Sequence, residues 1–395
     1  MKIFERVDAV YEEAAEIRAY LHSHPELSEH EENTARYIAS VLDRHGIAYK
    51  TGFAGYGIVA CVGSGPRGIG LRADMDALPM TEETGAPFAS QNPGVMHACG
   101  HDVHVTSGLA ILIMLKDIEE EITARGYTVK LFFQPAEETV GGAERMIKEG
   151  CMKSPKVEKV FGFHVDPNNP IGTFATKAGP MNAAVSDFRM TVKGTTTHGA
   201  HPDQGTDSIV CASEIVMAVQ TLITRHTAPT TPLIITFGSI HGGEINNIIP
   251  AQVELLGTVR ALDPGVMFTA KRQLMKMAKG IAQIHGAKVE FDWNFPSFPA
   301  LINDQAETEI AKKVITKLYG SDAVHLLPEP SMGADDFAFF SNAAKGTFVN
   351  IGTGVPGEPF HPLHSEFFLP PQEVLKPAAA VMTGILLETM GIDFE

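Results

Sequence analysis

The sequence predicts an α/β protein with a mixed sheet covered by helices on both faces and an inserted α+β domain of four antiparallel strands and two helices. Three observations support this prediction. Short apolar runs alternate with helical patterns in the first half of the chain, which is typical of a sheet covered on both faces. A separate βαββαβ order follows from about residue 185. Strand and helix patterns then resume, and 395 residues exceed what one hydrophobic core usually holds.

The elements of the first half follow from the spacing of apolar residues. Helical spacing predicts two opening amphipathic helices, at residues 5–22 and 31–45. Apolar runs that end in polar residues predict four buried strands, at 57–63, 68–78, 127–138 and 157–165. Helices are predicted between them at 105–118 and 141–150.

The inserted domain is predicted at residues 184–294, between the two segments 1–183 and 295–395 of a larger domain. Its strands alternate apolar and polar residues, as half-buried strands do. Two long amphipathic patterns between the strands predict helices. We therefore expect this part of the chain to form a small sandwich with its own core.

Charge and composition exclude several classes of protein. The chain has 31 Lys and Arg against 47 Asp and Glu, a formal net charge of −16, which disfavours binding to nucleic acid or to anionic membranes. Hydrophobic residues make up 44 %, as in ordinary globular proteins. The acidic N-terminal segment does not resemble a secretory signal, and no apolar stretch approaches the length that spans a bilayer. We expect a cytoplasmic protein.

Polar residues that bind metals cluster where the predicted strands end, which is where ligands bind in open α/β sheets. The candidates are Asp74 and Asp76; His97, Cys99, His101, Asp102 and His104 in MHACGHDVH; Glu137 and Glu138; His164; and His361, His364 and Glu366. Taken singly, each is more often a helix cap or a loop residue. If these residues lie together at one edge of the sheet, several of their charges would be close and unpaired, and a bound cation would neutralise them. A mixed Cys, His and Glu set suits a catalytic site for a zinc-like ion.

The adjacent acids Glu137 and Glu138 predict metal-assisted hydrolysis. Neighbouring side chains at a strand end point in different directions, so one can bind metal while the other faces the bound water. A carboxylate beside that water can take its proton and leave a metal-bound hydroxide, because the metal lowers the pKa of water from about 15.7 to about 7. The alternative is that both acids begin a solvated helix.

Cys99 is also a candidate nucleophile, with His101 or His104 as its base. Nearby carboxylates raise the pKa of a thiol, whereas a metal lowers it, so the acidic setting favours a ligand. The other cysteines, Cys61, Cys151 and Cys211, lie in apolar surroundings and are predicted to be core residues.

Ten motifs spread over nearly the whole chain resemble the M20 metallopeptidase family. The similarity is to the amidohydrolase branch, which contains N-acyl-amino-acid deacylases, hippurate hydrolases and plant auxin-conjugate hydrolases. The motifs are HSHPELS, RADMDALPM, GVMHACGHDVH, FQPAEE, GFHV, KGTTTHGAHP, GGEINNIIP, GTVR, SMGADDFAFF and HPLHSEFF. One departure is Asp335-Asp336-Phe337, where the branch usually has Glu-Asp-Phe.

The resemblance implies a dinuclear metal site in the larger domain, with Glu137 as the general base. The implied ligands are Cys99, which would bridge the ions, His101, Glu138, His164 and His364. Asp74, Asp76 and Asp102 are expected to orient the ligands from outside the metal shell. Zn, Mn, Co and Ni all accept such a ligand set.

The inserted domain resembles the lid and dimerisation domain of the family. The resemblance implies that His198 enters the active site of the partner subunit, where it would stabilise an oxyanion. Asn247 and Arg260 become candidates for binding the substrate carboxylate, although a structural salt bridge is an alternative for Arg260. A homodimer or higher homo-oligomer is therefore expected.

The function expected from the sequence is metal-dependent cleavage of the amide bond of a small N-acyl amino acid. A dipeptidase or aminopeptidase that uses the same dinuclear site is one alternative. A non-catalytic, metal-dependent binding protein is a second, although binding alone does not require both Glu137 and Glu138.

Overall fold

The computed structural model describes all 395 residues, and the chain divides into two compact units. The first unit contains Met1–Met181, Leu301–Glu329 and Asp335–Glu395, and the second contains Asn182–Ala300 and Pro330–Ala334. Residues 295–300, which are predicted from the sequence to belong to the larger domain, lie in the second unit. They do so because the strand at Ser297–Phe298 pairs with the strand at Ala184–Lys193.

The helices and strands alternate over most of the chain. The helices are α1 Ile3–Ser23, α2 Glu32–Arg44, α3 His101–Lys116, α4 Glu119–Ala124, α5 Gly142–Lys148, α6 Ser208–Arg225, α7 Pro264–Ile284, α8 Gln305–Tyr319, α9 Phe337–Ala343 and α10 Leu375–Met390. The strands are β1 Ala48–Phe53, β2 Gly57–Val62, β3 Arg67–Asp74, β4 Tyr127–Gln134, β5 Val157–Pro170, β6 Phe174–Thr176, β7 Gly179–Asn182, β8 Ala184–Lys193, β9 Thr197–His198, β10 Leu233–His241, β11 Ile248–Ile249, β12 Gln252–Ala261, β13 Lys288–Asp292, β14 Ser297–Phe298, β15 Leu301–Asn303, β16 Val324–Leu326 and β17 Lys345–Gly354.

The first unit is built on a mixed eight-stranded sheet in the order β1-β2-β4-β3-β5-β17-β6-β16. Strand β3 runs parallel to β4 and β5, and β17 runs parallel to β5, so the carboxyl ends of these four strands lie at one edge. Successive side chains of β4 enter different cores: Leu131 and Phe133 join one cluster and Phe132 joins another. Helices therefore cover both faces, and the predicted fold class is confirmed.

Helix α3 begins four residues earlier than the apolar pattern predicts. Its first turn is polar in sequence, yet His101, Asp102 and His104 are all buried. Gly100 precedes the helix with φ of 82°, in the left-handed region that glycine tolerates. A Cβ at this position would lie 2.5 Å from Cγ2 of Val165, so only glycine lets the helix start this close to β5.

The second unit has its own antiparallel sheet, in the order β10-β12-β8-β13, with β14 paired to β8. Helices α6 and α7 pack together on this sheet and share its core. Phe188, Ile215 and Leu274 are three of the side chains buried there.

The expectation that no apolar stretch has membrane-spanning length was wrong for α6. This helix has 18 residues and a mean hydropathy of 1.3, which is long and apolar enough to cross a bilayer by length and composition. Its buried residues include Cys211, Ile215, Val219 and Leu222, which recur at helical spacing and face the core of the second unit. The pattern is that of an amphipathic helix packed on a sheet.

Candidate metal centre

The strand ends of the first unit bring the predicted metal ligands together. Cys99 Sγ lies 3.3 Å from Nε2 of His164, although the two residues are 65 positions apart. His364 Nε2 lies 3.2 Å from Oε1 of Glu138, and His101 Nε2 lies 4.0 Å from that same oxygen. Two groups of ligands share Cys99: one contains Cys99, His101 and His164, and the other contains Cys99, Glu138 and His364. Within each group, the donor atoms lie within 4.8 Å of one another. We call these five side chains the centre.

Backbone carbonyls orient two of the imidazoles toward this centre. Nδ1 of His101 lies 2.9 Å from the carbonyl oxygen of Asp76, and Nδ1 of His164 lies 2.7 Å from that of Val165. A carbonyl only accepts a hydrogen bond, so each Nδ1 donates, and Nε2 is the ring nitrogen left to bind a metal. Both Nε2 atoms face the centre, as metal-binding histidines require.

The buried polar atoms of the centre fit divalent cations. Nε2 of His101 is fully buried and has no hydrogen-bond partner, and Oε1 of Glu138 has none either despite its short distance to His364. Unpartnered buried polar atoms are rare in folded proteins, and a bound cation would satisfy these two. Burial together with Glu138 and Glu137 raises the pKa of Cys99 well above its ordinary value. Such a thiol is a poor free nucleophile, whereas a metal ion would stabilise its thiolate.

Glu137 lies between the predicted ligands His101 and Glu138 and two further acids, since its carboxylate belongs to a close group with each pair. Its Oε1 lies 3.5 Å from the backbone nitrogen of Asp336, and Glu137, Asp335 and Asp336 have carboxylate oxygens within 4.8 Å of one another. Burial, followed by the charges of Asp335, Asp336 and Glu138, raises the pKa of Glu137 well above its ordinary value. This carboxylate therefore holds a proton more readily than a solvated glutamate does.

The fully buried guanidinium of Arg72 partly neutralises this group of acids. It pairs with Asp74 on its own strand, with Asp336 at 2.8 Å and with Asp335 at 3.3 Å. Its Nε donates to Oε1 of Gln134 at 2.8 Å. Arg72 was not among the residues predicted from the sequence, although a cation was to be expected among so many acids at the sheet edge.

Asp74 and Asp76 contact imidazoles, and Asp76 also contacts the backbone of the predicted ligand Glu138. Oδ2 of Asp74 lies 3.5 Å from Nε2 of His101, and its Oδ1 accepts from Nδ1 of His104. Oδ1 of Asp76 lies 3.2 Å from Nδ1 of His101, while its Oδ2 accepts from the backbone nitrogen of Glu138 at 3.0 Å. Both acids thus hold groups that face the centre.

Asp102 has different partners from those predicted. Its Oδ2 accepts from Nε of Arg18 and from Nδ1 of His22, each at 3.0 Å, and no predicted ligand is among its hydrogen-bond partners. Helix α3 turns the Asp102 side chain away from that of its neighbour His101 and toward α1. Asp102 therefore ties α1 to α3. The other two histidines of the motif belong to neither ligand group that contains Cys99: His104 stacks on His101 and contacts Asp74, and both ring nitrogens of buried His97 lack partners.

We predict that the contacts of His22 with Asp102 and Glu82 make a pH-dependent contribution to stability. Burial alone would lower the pKa of His22, but Asp102 and Glu82 outweigh burial and raise it to about 9. Because the folded pKa exceeds the unfolded value of about 6.5, this stabilisation is complete below pH 6.5 and is lost as pH rises through 9. We expect His22→Gln to lower the free energy of unfolding by up to about 3 kcal/mol at pH 6 and by much less at pH 10. Urea unfolding of both proteins measures this difference; a difference independent of pH would contradict the assignment.

The remaining predicted residues lie in the second unit. His198 is exposed on β9, opposite Ile248 of β11, and the nitrogen of Gly199 donates to the carbonyl of Asn247 at 2.8 Å, so Asn247 and His198 are neighbours. Strand β12 begins at Gln252, shortly after β11, and Arg260 lies near the opposite end of β12. The two residues are eight positions apart, which in a strand is about 27 Å. Its Nη1 donates to the carbonyl of Met332 at 3.0 Å. One chain therefore does not bring Arg260 and Asn247 to the same carboxylate.

Comparison with known proteins identifies the family. Residues 70–388, which include all the predicted ligands, match the family described as peptidase family M20/M25/M40. The chain belongs to this family. Its M20 membership confirms the resemblance found in the sequence.

Relatives of known name extend over nearly the whole chain. The N-acetyl-L-cysteine deacetylase of Bacillus subtilis is 36 % identical over 357 residues, which cover 88 % of this chain and 82 % of the relative. Thermostable carboxypeptidase 1 of Saccharolobus solfataricus is 36 % identical over 373 residues, 91 % of each chain. The solved YXEP protein of Bacillus subtilis, described as a dinuclear metal binding peptidase from the M20 family, has a TM-score of 0.82 and 30 % identity, over 98 % of this chain and 100 % of that one.

These relatives and the cluster of ligand groups agree on the class of reaction. This M20 protein is a metal-dependent amidohydrolase, with the fold of a dinuclear metal-binding peptidase and candidate ligands at its sheet edge.

Proposed function

We propose that this M20 enzyme cleaves the amide bond of N-acyl amino acids, releasing a carboxylate and the free amino acid. The observation that carries the proposal is the convergence of Cys99, His101, Glu138, His164 and His364 on one centre, with the partly buried acid Glu137 beside it. The relative named as a deacetylase supports the choice of substrate class.

The five converging side chains would hold two divalent cations, and Cys99 belongs to both ligand groups. Bound cations of this kind polarise an amide carbonyl and lower the pKa of water from about 15.7 to about 7. Thiolate, imidazole and carboxylate together suit zinc, manganese, cobalt or nickel.

Glu137 would carry the proton through the reaction. It takes a proton from the attacking water as the oxygen bonds to the amide carbon, and it delivers that proton to the nitrogen as the carbon–nitrogen bond breaks. Its raised pKa suits the second step, because a solvated carboxylate releases its proton too readily to donate it to an amide nitrogen.

A homodimer would complete the substrate site. His198 and Asn247 are neighbours, and Arg260 lies far from them on the same chain. We propose that Arg260 of one subunit binds the substrate carboxylate, while His198 and Asn247 of the partner subunit contact the same substrate. His198 would donate a hydrogen bond to the oxyanion that forms on the amide carbon. Strand β10 lies at an edge of its sheet and could pair across a two-fold axis.

A cavity beside the His364 loop is our candidate for the acyl pocket. It measures about 540 Å³, and its walls are built by the segment that follows His164 and by both sides of the His364 loop. The lining residues include Phe360, Phe367, Pro167, Pro170, Pro359 and Pro370. Aromatic and proline side chains favour a planar, apolar acyl group such as benzoyl.

A substrate panel tests the proposal. We expect N-acetyl and N-benzoyl amino acids to be hydrolysed and free-amine dipeptides to be poor substrates. Burial of a phenyl ring is worth about 1.5–3 kcal/mol, so kcat/KM for N-benzoyl substrates should exceed that for N-acetyl substrates by about tenfold or more. Phe367→Ala should reduce this preference and leave turnover of N-acetyl substrates nearly unchanged.

Two other outcomes would contradict the proposal. Preferential cleavage of free-amine dipeptides would favour the dipeptidase or aminopeptidase alternative. Metal binding without hydrolysis of any panel member would favour a binding protein. The relative named as a carboxypeptidase makes N-blocked dipeptides a necessary part of the panel.

A further inference from the structure

Glu31 is a fully buried acid that no role described so far requires. It directly precedes α2, yet its side chain makes no capping hydrogen bond to that helix. Burial and the nearby charge of Asp76 raise its pKa to about 7, so keeping an acid here has a free-energy cost. The side chain instead reaches a residue 105 positions away: its Oε1 accepts a hydrogen bond of 2.8 Å from the backbone nitrogen of Ala136.

Ala136 has an unusual backbone conformation directly before the two glutamates. Its φ is 56°, in the left-handed region, which costs a non-glycine residue roughly 1–2 kcal/mol. Such a residue persists only where surrounding contacts hold it. Here the contacts are Glu31 on its nitrogen and the nitrogens of Gly141 and Gly142, which donate to its carbonyl at 3.0 and 3.1 Å.

A second carboxylate holds the other end of the same segment. Oδ2 of Asp76 accepts from the nitrogen of Glu138 at 3.0 Å, so Ala136–Glu138 is held at both ends by buried acids from other parts of the chain. Between these two points the backbone sends Glu137 toward Asp336 and Glu138 toward His364. A change in φ at Ala136 would redirect both side chains.

We infer that Glu31 is a positioning residue, which holds Ala136 in the left-handed conformation and thereby aims Glu137 and Glu138 at their separate targets. The inference rests on the proposed function, because it assigns Glu31 a task only if Glu137 carries the proton. It concerns the hydrogen bond to Ala136, and a neutral side chain with the same acceptor oxygen would serve.

Four variants of the metal-loaded enzyme test this inference. We expect Glu31→Ala to lower kcat by about 10- to 100-fold, because displacements near 1 Å cost rates of this order, with KM within about twofold of wild type. Glu31→Gln keeps an acceptor oxygen and should retain kcat within a few-fold. Glu26→Ala is the matched control, because Glu26 lies in the same segment and its carboxylate bonds only to Asn33 and Thr34. It should lower stability without changing kcat.

The fourth variant separates positioning from general damage to the fold. Glycine adopts positive φ freely, so the double variant Glu31→Ala with Ala136→Gly should recover at least a few-fold of the lost kcat. Wild-type kcat in Glu31→Ala, or no recovery in the double variant, would overturn the inference. If Glu137→Gln is inactive while Glu31→Ala is fully active, the inference alone fails. If Glu137→Gln is active, the proposed function fails first.

Discussion

Replacement of Glu137 by glutamine should lower kcat by about 10²- to 10⁴-fold, the usual contribution of a general acid–base group, while the bound metal stays at the wild-type level. Glutamine has nearly the shape of glutamate but cannot take a proton from water. The backbone contact from Asp336 can persist, because the amide oxygen also accepts a hydrogen bond. Steady-state kinetics with an N-acyl amino acid and metal analysis of the same sample measure the two effects.

Glu138→Gln is the matched control, because the same substitution is made one residue away. Glu138 lies within 3.2 Å of His364 and 4.0 Å of His101, so this variant should lose metal as well as activity. Near-normal turnover by Glu137→Gln would show that the proton passes through another group. Loss of metal from Glu137→Gln and not from Glu138→Gln would reverse the two assigned roles.

Removal of metal by a chelator should abolish hydrolysis and lower the melting temperature. The centre concentrates the fully buried Asp74 and Asp76 and the partly buried Glu137 and Glu138, and Arg72 alone does not balance these four acids. A cation that binds only the folded protein stabilises it by about 2.7 kcal/mol at 100 times its dissociation constant. Thermal unfolding with increasing zinc, manganese, cobalt or nickel, followed by activity assays, identifies the ion that restores both properties.

Cys99→Ala should reproduce the effect of the chelator, since it removes the side chain shared by both ligand groups. Cys211→Ala serves as the control, because Cys211 is buried in the separate core of the second unit. Its substitution should lower stability without changing metal content. Full metal content in Cys99→Ala would exclude a bridging role for the sulfur.

The polar residues after the strands were predictable because their chemistry is local. Asp74 ends β3, Glu138 lies four residues beyond the end of β4, and His164 lies within β5. Parallel strands bring their carboxyl ends to one edge. The start of α3 was not predictable from periodicity, since its first turn is polar in sequence and buried in the fold. Asp102 in this turn accepts hydrogen bonds from Arg18 and His22 of α1, which lie about 80 residues earlier in the chain.

The sequence by itself determined the family, the fold class and the kinds of ligand available, because these depend on which residues follow which strands. Only the tertiary structure decided where each side chain points: His101 faces the centre while His104 holds Asp74, and Asp102 belongs to Arg18 and His22. It also revealed the ion pair of Arg72 with Asp336 and the hydrogen bond from the backbone nitrogen of Ala136 to Glu31. The physical reason is that a buried polar group takes its partners from whatever the packing places beside it, and those partners are far away in the chain.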